Sequence, residues 1–241
     1  MGDKRFMSTA VFLQVRLNSS RLSRKALLPF GDMTVIEHAM AALMQVDVKV
    51  HALLTDRKSG ATLRPFAKKF NFEVFEGPED DVLSRFAMAV RYFEVGRYFR
   101  ATGDNPLVSR ELAEALLHLH IEAQADFSGF LGPPLGTGVE LTESAAILAA
   151  DAEAVDPYER EHVSPFIYRR PERFAVQRPW APEEYCYPSA HVTLDTREDH
   201  AYIERIFRDL YKGHPIETKQ LVKWLAKDES GRYFRPIGKT G

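Results

Sequence analysis

The chain has 241 residues, 45% of them hydrophobic and 27% charged, with a formal net charge of −2, which suits one globular domain and offers nucleic acid or anionic lipid no overall electrostatic attraction. No apolar run approaches the roughly 20 residues of a membrane span, and residues 1–6 (MGDKRF) lack both the apolar core of a signal peptide and the Ser or Thr of a myristoylation signal. Cys186 is the only cysteine, which excludes an internal disulfide or a cysteine metal cluster and makes a reducing cytoplasm the natural compartment.

Residues 9–15 (TAVFLQV) read as a strand buried on both faces. A basic, polar stretch follows at 16–25, and then Thr34 and Glu37 form a capping box that opens a helix running to about Val46. The unit repeats: strand 48–54, helix 62–70, strand 72–75, helix 82–93, strand 98–101, helix 111–123. Glu79, Asp80 and Asp81 suit the positive end of the helix at 82. Strands alternating with helices predict an α/β fold, three layers deep, with a mostly parallel central sheet flanked by helices. At 129–188 the pattern breaks. Gly129, Gly132, Pro133, Pro134, Gly136 and Gly138 read as a mobile loop, followed by a strand at 139–141 and a helix at 145–154. Residues 191–195 (HVTLD) then read as a resumed core strand, and Thr196 and Asp199 as a second capping box. We read 1–241 as one domain with 129–188 inserted in it.

Ligands of an open parallel sheet bind beyond the carboxyl ends of its strands. The first such loop, 14–25 (QVRLNSSRLSRK), carries four cations and four small polar residues within ten positions. It can cradle a triphosphate through Arg forks, a Lys point charge and Ser or backbone donors; it can equally be a solvated basic turn. It is neither a Walker A loop nor Gly-x-Gly-x-x-Gly. The pattern Gln14-x-Arg16-x-x-Ser19-Ser20-Arg21-Leu22-x-x-Lys25-x-Leu27-Leu28-Pro29 resembles the signature loop of the cytidylyltransferases, and most closely that of their spore-coat polysaccharide branch. The resemblance implies a nucleotide-diphospho-sugar transferase-like fold, with Arg16, Arg21 and Lys25 on the phosphates of CTP, assisted by Gln14, Ser19 and Ser20. The family usually has Pro-Gly where Ser23-Arg24 stand here. If that glycine is left-handed, Arg24 costs roughly 1 kcal/mol in the same conformation.

Two aspartates follow predicted strands. Arg100-x-Thr102-x-Asp104-x-Pro106-Leu107 and Asp195-Thr196-x-x-Asp199 resemble two further family segments, in which Asp104 and Asp195 hold Mg²⁺ and Thr102 meets the nucleotide. Each aspartate taken alone also reads as a turn or cap residue. Mg²⁺ is held by one or two carboxylates plus substrate phosphates, so a pair from separate strand ends opposite a basic loop suits it. Without the metal, two facing carboxylates are expected to repel.

The resemblance extends over nearly the whole chain. Residues 76–85, with Asp80, resemble the segment passing the nucleobase. Residues 156–168 resemble an acceptor and dimerisation segment. They place Tyr158, Arg160 and His162, together with Glu140, near the acceptor, with Tyr158 and His162 on one helical face. The expected partners are CTP, a small-molecule acceptor and a second copy of the chain joined through 129–188, whose aromatics Tyr158, Phe166, Tyr168 and Trp180 are expected to be exposed. Two other readings are a glycosyltransferase of similar fold, for which a convincing Asp-x-Asp is lacking, and a non-catalytic nucleotide-binding assembly protein, which only Ser23-Arg24 favours.

Overall fold

The structure, a computed structural model, describes residues 9–18, 22 and 24–228. Its centre is a seven-stranded sheet in the order β5-β4-β1-β6-β8-β7-β9. These strands are β1 (Thr9–Gln14), β4 (Val50–Asp56), β5 (Glu73–Gly77), β6 (Arg97–Thr102), β7 (Phe127–Gly129), β8 (Glu140–Glu143) and β9 (Val176–Gln177). The pairs β5–β4, β4–β1, β1–β6 and β7–β9 are parallel, whereas β8 runs antiparallel to both β6 and β7. The mostly parallel α/β sheet expected from the alternating pattern is therefore present, with one reversed strand.

Side chains of a strand alternate between its faces, and in β1 both sets are buried. Val11 and Leu13 join Ile36, Met40, Leu63 and Leu116 of the helices α1 (Val35–Leu43), α2 (Arg57–Lys69) and α4 (Arg110–Glu122). Ala10 and Phe12 join Phe86, Val90 and Ile147 of α3 (Val82–Phe93) and α5 (Ser144–Glu153). Burial on both faces explains why this strand is an unbroken apolar run. It also makes three layers.

Local signals set the helix starts. Glu37 accepts from the backbone N–H of Thr34 at 2.8 Å, and Thr34 belongs to the short antiparallel pair β2 (Pro29–Phe30) and β3 (Met33–Thr34). Asp56 caps α2 through the Ser59 N–H at 2.9 Å, so this helix begins at Arg57, ahead of the expected 62. Asp81 caps α3 and Ser109 caps α4 in the same way.

Residues 191–195 are not a strand. The segment is extended but joins the sheet region only through a single bridge, Leu135 to His191. Val192 and Leu194 are buried instead against Tyr202, Ile203 and Ile206 of α8 (Arg197–Leu210) and Leu221 of α9 (Thr218–Leu225). The alternation that suggested a strand comes from packing on a helix. Residues 129–138, expected to be a mobile loop, are tied down by that bridge and by a second from Leu131 to Trp180. Phe166, expected at the surface, is buried, whereas Tyr158 and Trp180 are exposed.

Candidate active site

Strand order departs in opposite directions from β1, with β4 on one side and β6 on the other. The crevice beyond its carboxyl end is therefore the place where a ligand fits. The chain leaves β1 along one wall of it. Val15 N–H still donates to Leu54 at 3.0 Å, and Leu17 N–H donates to the Ser59 hydroxyl at 3.1 Å. Ser59 in turn donates to Asp56 at 2.7 Å. Ser19, Ser20 and Arg21 lie outside the described residues. At the far end of the loop, Arg24 has φ 51° and ψ 32°, the left-handed conformation that the family glycine would take without strain. A short 3₁₀ turn, Lys25–Leu27, follows at once and aims Lys25 into the crevice.

Lys25 is where the site closes. Its Nζ lies 2.6 Å from an Asp104 oxygen and 2.8 Å from an Asp195 oxygen. Asp104 arrives on the turn after β6, which is pinned to β1 by the Gly103 N–H donating to the Gln14 carbonyl at 2.7 Å. Gly103 packs closely: an added Cβ would displace the end of the Ile36 side chain and lie 3.0 Å from Val15. Asn105 donates to the Thr102 hydroxyl at 2.7 Å and braces the same turn. Asp195 arrives on the extended segment before α8, and its N–H donates to Asp199 at 2.9 Å. Asp199 also accepts from the Thr196 N–H at 2.8 Å, completing the capping box. Burial opposes the Lys25 ammonium, but Asp104 and Asp195 outweigh it and hold its pKa above the ordinary lysine value. The ammonium between the two carboxylates offsets the repulsion expected between them.

These three residues and Gln14, Arg16, Thr102, Glu161 and His162 line a hollow of about 280 Å³. A second hollow of about 770 Å³ adjoins it, walled by the 129–138 loop, Tyr168, Arg178 and His191. Arg100 and Thr102 line both. From β6, Arg100 donates to Gln14 at 3.2 Å on the first side and to Glu140 at 2.8 Å on the second. Ser164 donates to the same Glu140 oxygen at 2.6 Å. A polar partition therefore runs from the end of β1 to the inserted region. Arg100 stands in a family-like segment yet takes no role from the sequence alone, because a strand sequence does not reveal which of its polar side chains faces two cavities.

The inserted region reaches the site through α6 (Pro157–His162) and α7 (Pro165–Tyr168). Between them Val163 has φ 73° and ψ −63°, with the Ser164 N–H donating to the His162 carbonyl at 2.9 Å. This is a γ-turn in a region that β-branched residues rarely enter, and strain of this kind concentrates at functional sites. It lets Glu161 and His162 face the smaller hollow while Ser164 turns to Glu140. Tyr158 and His162 do share a helical face, with ring centroids 4.3 Å apart.

Three expected site residues lie elsewhere. Arg160 lines neither hollow; it binds Asp81 at 2.7 Å and Asp151 at 2.9 Å, and the carbonyls of Asp151 and Ala154. It fastens α6 to the start of α3 and the end of α5, because a long guanidinium fork suits several acceptors at once. Tyr158 is exposed and lines neither hollow, with the Arg169 guanidinium 4.7 Å above its ring. Asp80 is exposed beside, and outside, the smaller hollow.

Among the described residues no group of three or more His, Cys, Asp or Glu side chains is gathered to enclose an ion. Asp104 and Asp195 together suit a cation that takes its remaining ligands from phosphate and water, the habit of Mg²⁺. No helix among them is long and apolar enough to cross a membrane.

A sequence profile described as Cytidylyltransferase matches residues 10–235. The spore coat polysaccharide biosynthesis protein SpsF of Bacillus subtilis is 28% identical over 223 residues, which cover 90% of this chain and 93% of that protein. A cytidylyltransferase structure from Leptospira borgpetersenii superposes with a TM-score of 0.85 at 24% identity, covering 92% of this chain and 94% of that one. CMP:2-keto-3-deoxy-manno-octonic acid synthetase complexed with CTP superposes with a TM-score of 0.64 at 13% identity, covering 84% and 99%.

Proposed function

The chain belongs to the cytidylyltransferase family, and from that premise we propose that it transfers CMP from CTP to a sugar, sugar-acid or phosphorylated small-molecule acceptor, releasing pyrophosphate. The reaction depends on Mg²⁺ and serves cell-surface polysaccharide biosynthesis in the cytoplasm. The observation that carries this reading is the meeting of Lys25, Asp104 and Asp195 in a cleft that adjoins a second, larger hollow. The smaller hollow takes the triphosphate and the larger takes the acceptor, with Arg100 and Glu140 between them.

In this mechanism an acceptor oxygen bonds to the α-phosphorus of CTP while the bond to the bridging oxygen of pyrophosphate breaks in line. Arg16 and Lys25 stabilise the charge that collects on the leaving pyrophosphate, and Arg21 of the same loop is assigned to that task too. Asp104 and Asp195 hold the metal, which supplies charge neutralisation on the phosphates when bound. No covalent enzyme intermediate is needed. A pyrophosphate-release screen of the four nucleoside triphosphates against pooled acceptors tests the proposal. Release with CTP well above the other three is expected; release with none, or a preference for UTP, would overturn it.

The protein is also expected to be a homodimer joined through 129–188. Leu135 and Trp180 of that stretch are 62% and 64% exposed, more than an isolated surface favours for such side chains. Trp180→Glu should shift the dimer toward monomer in light scattering at micromolar concentration. A wild-type monomer under those conditions would rule the dimer out.

A further inference from the structure

The contact between Lys25 and the two aspartates bears on how metal and nucleotide enter, on the cytidylyltransferase reading above. The ammonium is a compact point charge with three donors, and two of them are directed at Asp104 and Asp195, at 2.6 and 2.8 Å. Those two carboxylates are the ones assigned to the divalent cation. A doubly charged ion bound to them would stand within a few ångströms of the ammonium, where like charges in a half-buried cleft repel strongly. The Lys25 side chain is only 13% exposed, so it has no simple retreat into water. What lies open to it is the smaller hollow that it lines together with Arg16, where the triphosphate belongs.

We infer that Lys25 and the divalent cation are alternative partners of Asp104 and Asp195, and that Lys25 passes to the triphosphate when the metal arrives. Metal alone must strand a half-buried ammonium. Nucleotide alone must draw Lys25 away from contacts with two carboxylates. Bound together, each ligand removes the other's obstacle, so their binding is cooperative, and by linkage the coupling is reciprocal. Lys25 is therefore the residue that makes the metal site weak until nucleotide is present.

The test is metal binding without turnover. Mn²⁺ affinity is measured by electron paramagnetic resonance in the absence of nucleotide, for wild type and for Lys25→Met, which keeps the chain length and removes the charge. The variant is expected to bind Mn²⁺ about tenfold more tightly or better, the scale of a typical coupling, while its affinity for metal-free CTP falls. Asp195→Asn should abolish the tight Mn²⁺ site in either background. Equal Mn²⁺ affinity in the two proteins, or weaker binding by Lys25→Met, overturns the exchange. Lys25→Gln gives the same comparison should the Met variant not fold. The CTP arm stands apart: if wild type binds no CTP while Lys25→Met gains Mn²⁺ affinity, the exchange survives and the cytidylyltransferase reading fails.

Discussion

Asp195→Asn is expected to slow pyrophosphate release from CTP by about 10²–10³, the scale of losing one preorganised electrostatic contact in a transition state, and Asp104→Asn should do so by the same order. Both carboxylates lie within 2.8 Å of one Lys25 nitrogen, so both serve one small region of the cleft. Residues that act as a unit are strongly non-additive, so the double variant should be far less impaired than the product of the two single losses. The fold should tolerate either change. Asparagine keeps the shape, and the backbone N–H of residue 195 still donates to Asp199. Removing one carboxylate leaves Lys25 with one charged partner in place of two, so a small loss of about 1 kcal/mol is expected, the size of a single polar contact. The relief of repulsion expected from sequence alone would have had the opposite sign. Steady-state pyrophosphate release at saturating CTP and varied Mg²⁺, with thermal melting alongside, measures both effects. Near-normal turnover of Asp195→Asn with an unaltered Mg²⁺ dependence would reduce Asp195 to a linker residue before α8.

The contrast between Asp195 and its neighbours shows what a sequence can display. Periodicity places the strands and helices around β1 because one face of each helix and both faces of the strand are apolar, and α3 begins and ends where its pattern does. Periodicity also misleads at 191–195, since Val192 and Leu194 are buried in alternation whether the partner is a strand or α8. The start of α2 escapes the apolar pattern because its first turn is polar; the Asp56 cap three residues before Ser59 is the available signal. The antiparallel direction of β8 leaves no trace in a four-residue strand. In the site, Lys25, Asp104 and Asp195 are legible as charges at strand or loop ends. Their mutual contact is not, because it joins positions 170 residues apart in sequence. Arg24 is an instructive case: its left-handed backbone follows from the glycine it replaces, and the structure has it there at the cost of local strain. Arg160 reads as a substrate ligand on an exposed segment and proves to be a fastener, a distinction that depends on where Asp81 and Asp151 come to lie.

Arg85→Ala should be the most destabilising of the single changes considered, by about 3 kcal/mol, which is a loss on the order of 10² in the folding equilibrium. Arg85 is 1% exposed, between Val82, Phe86 and Ala89 on the buried side of α3. Its sequence context offers the clue: one arginine set into the apolar face of a helix needs a buried acceptor. That acceptor is main chain. Nε donates to the Pro78 carbonyl at 3.0 Å, and the guanidinium also donates to Pro78 and, at 3.1 Å, to Glu79. The Arg85 stem packs on Gly77, where an added Cβ would lie 2.6 Å from it. Burial pulls its pKa below the ordinary arginine value, so holding the charge inside has a cost that these bonds must offset. Alanine would leave a cavity and two carbonyls without donors, which accounts for a loss of that size even after the relief of desolvation. The same change should act on function through position, since residues 76–85 resemble the segment that passes the nucleobase and Arg85 holds its Pro78 and Glu79 carbonyls. KM for CTP is then expected to rise several-fold while kcat changes less. The conservative variant Arg85→Lys supplies charge without the fork and should recover only part of either loss, because one ammonium on a flexible stem cannot hold two adjacent carbonyls in the guanidinium's geometry. Urea unfolding followed by tyrosine and tryptophan fluorescence measures the stability change, and initial rates over a range of CTP measure the functional one. An Arg85→Ala protein with an unchanged urea midpoint and unchanged KM would mean that the loop holds its own shape, and that Arg85 is carried inside the helix without a task.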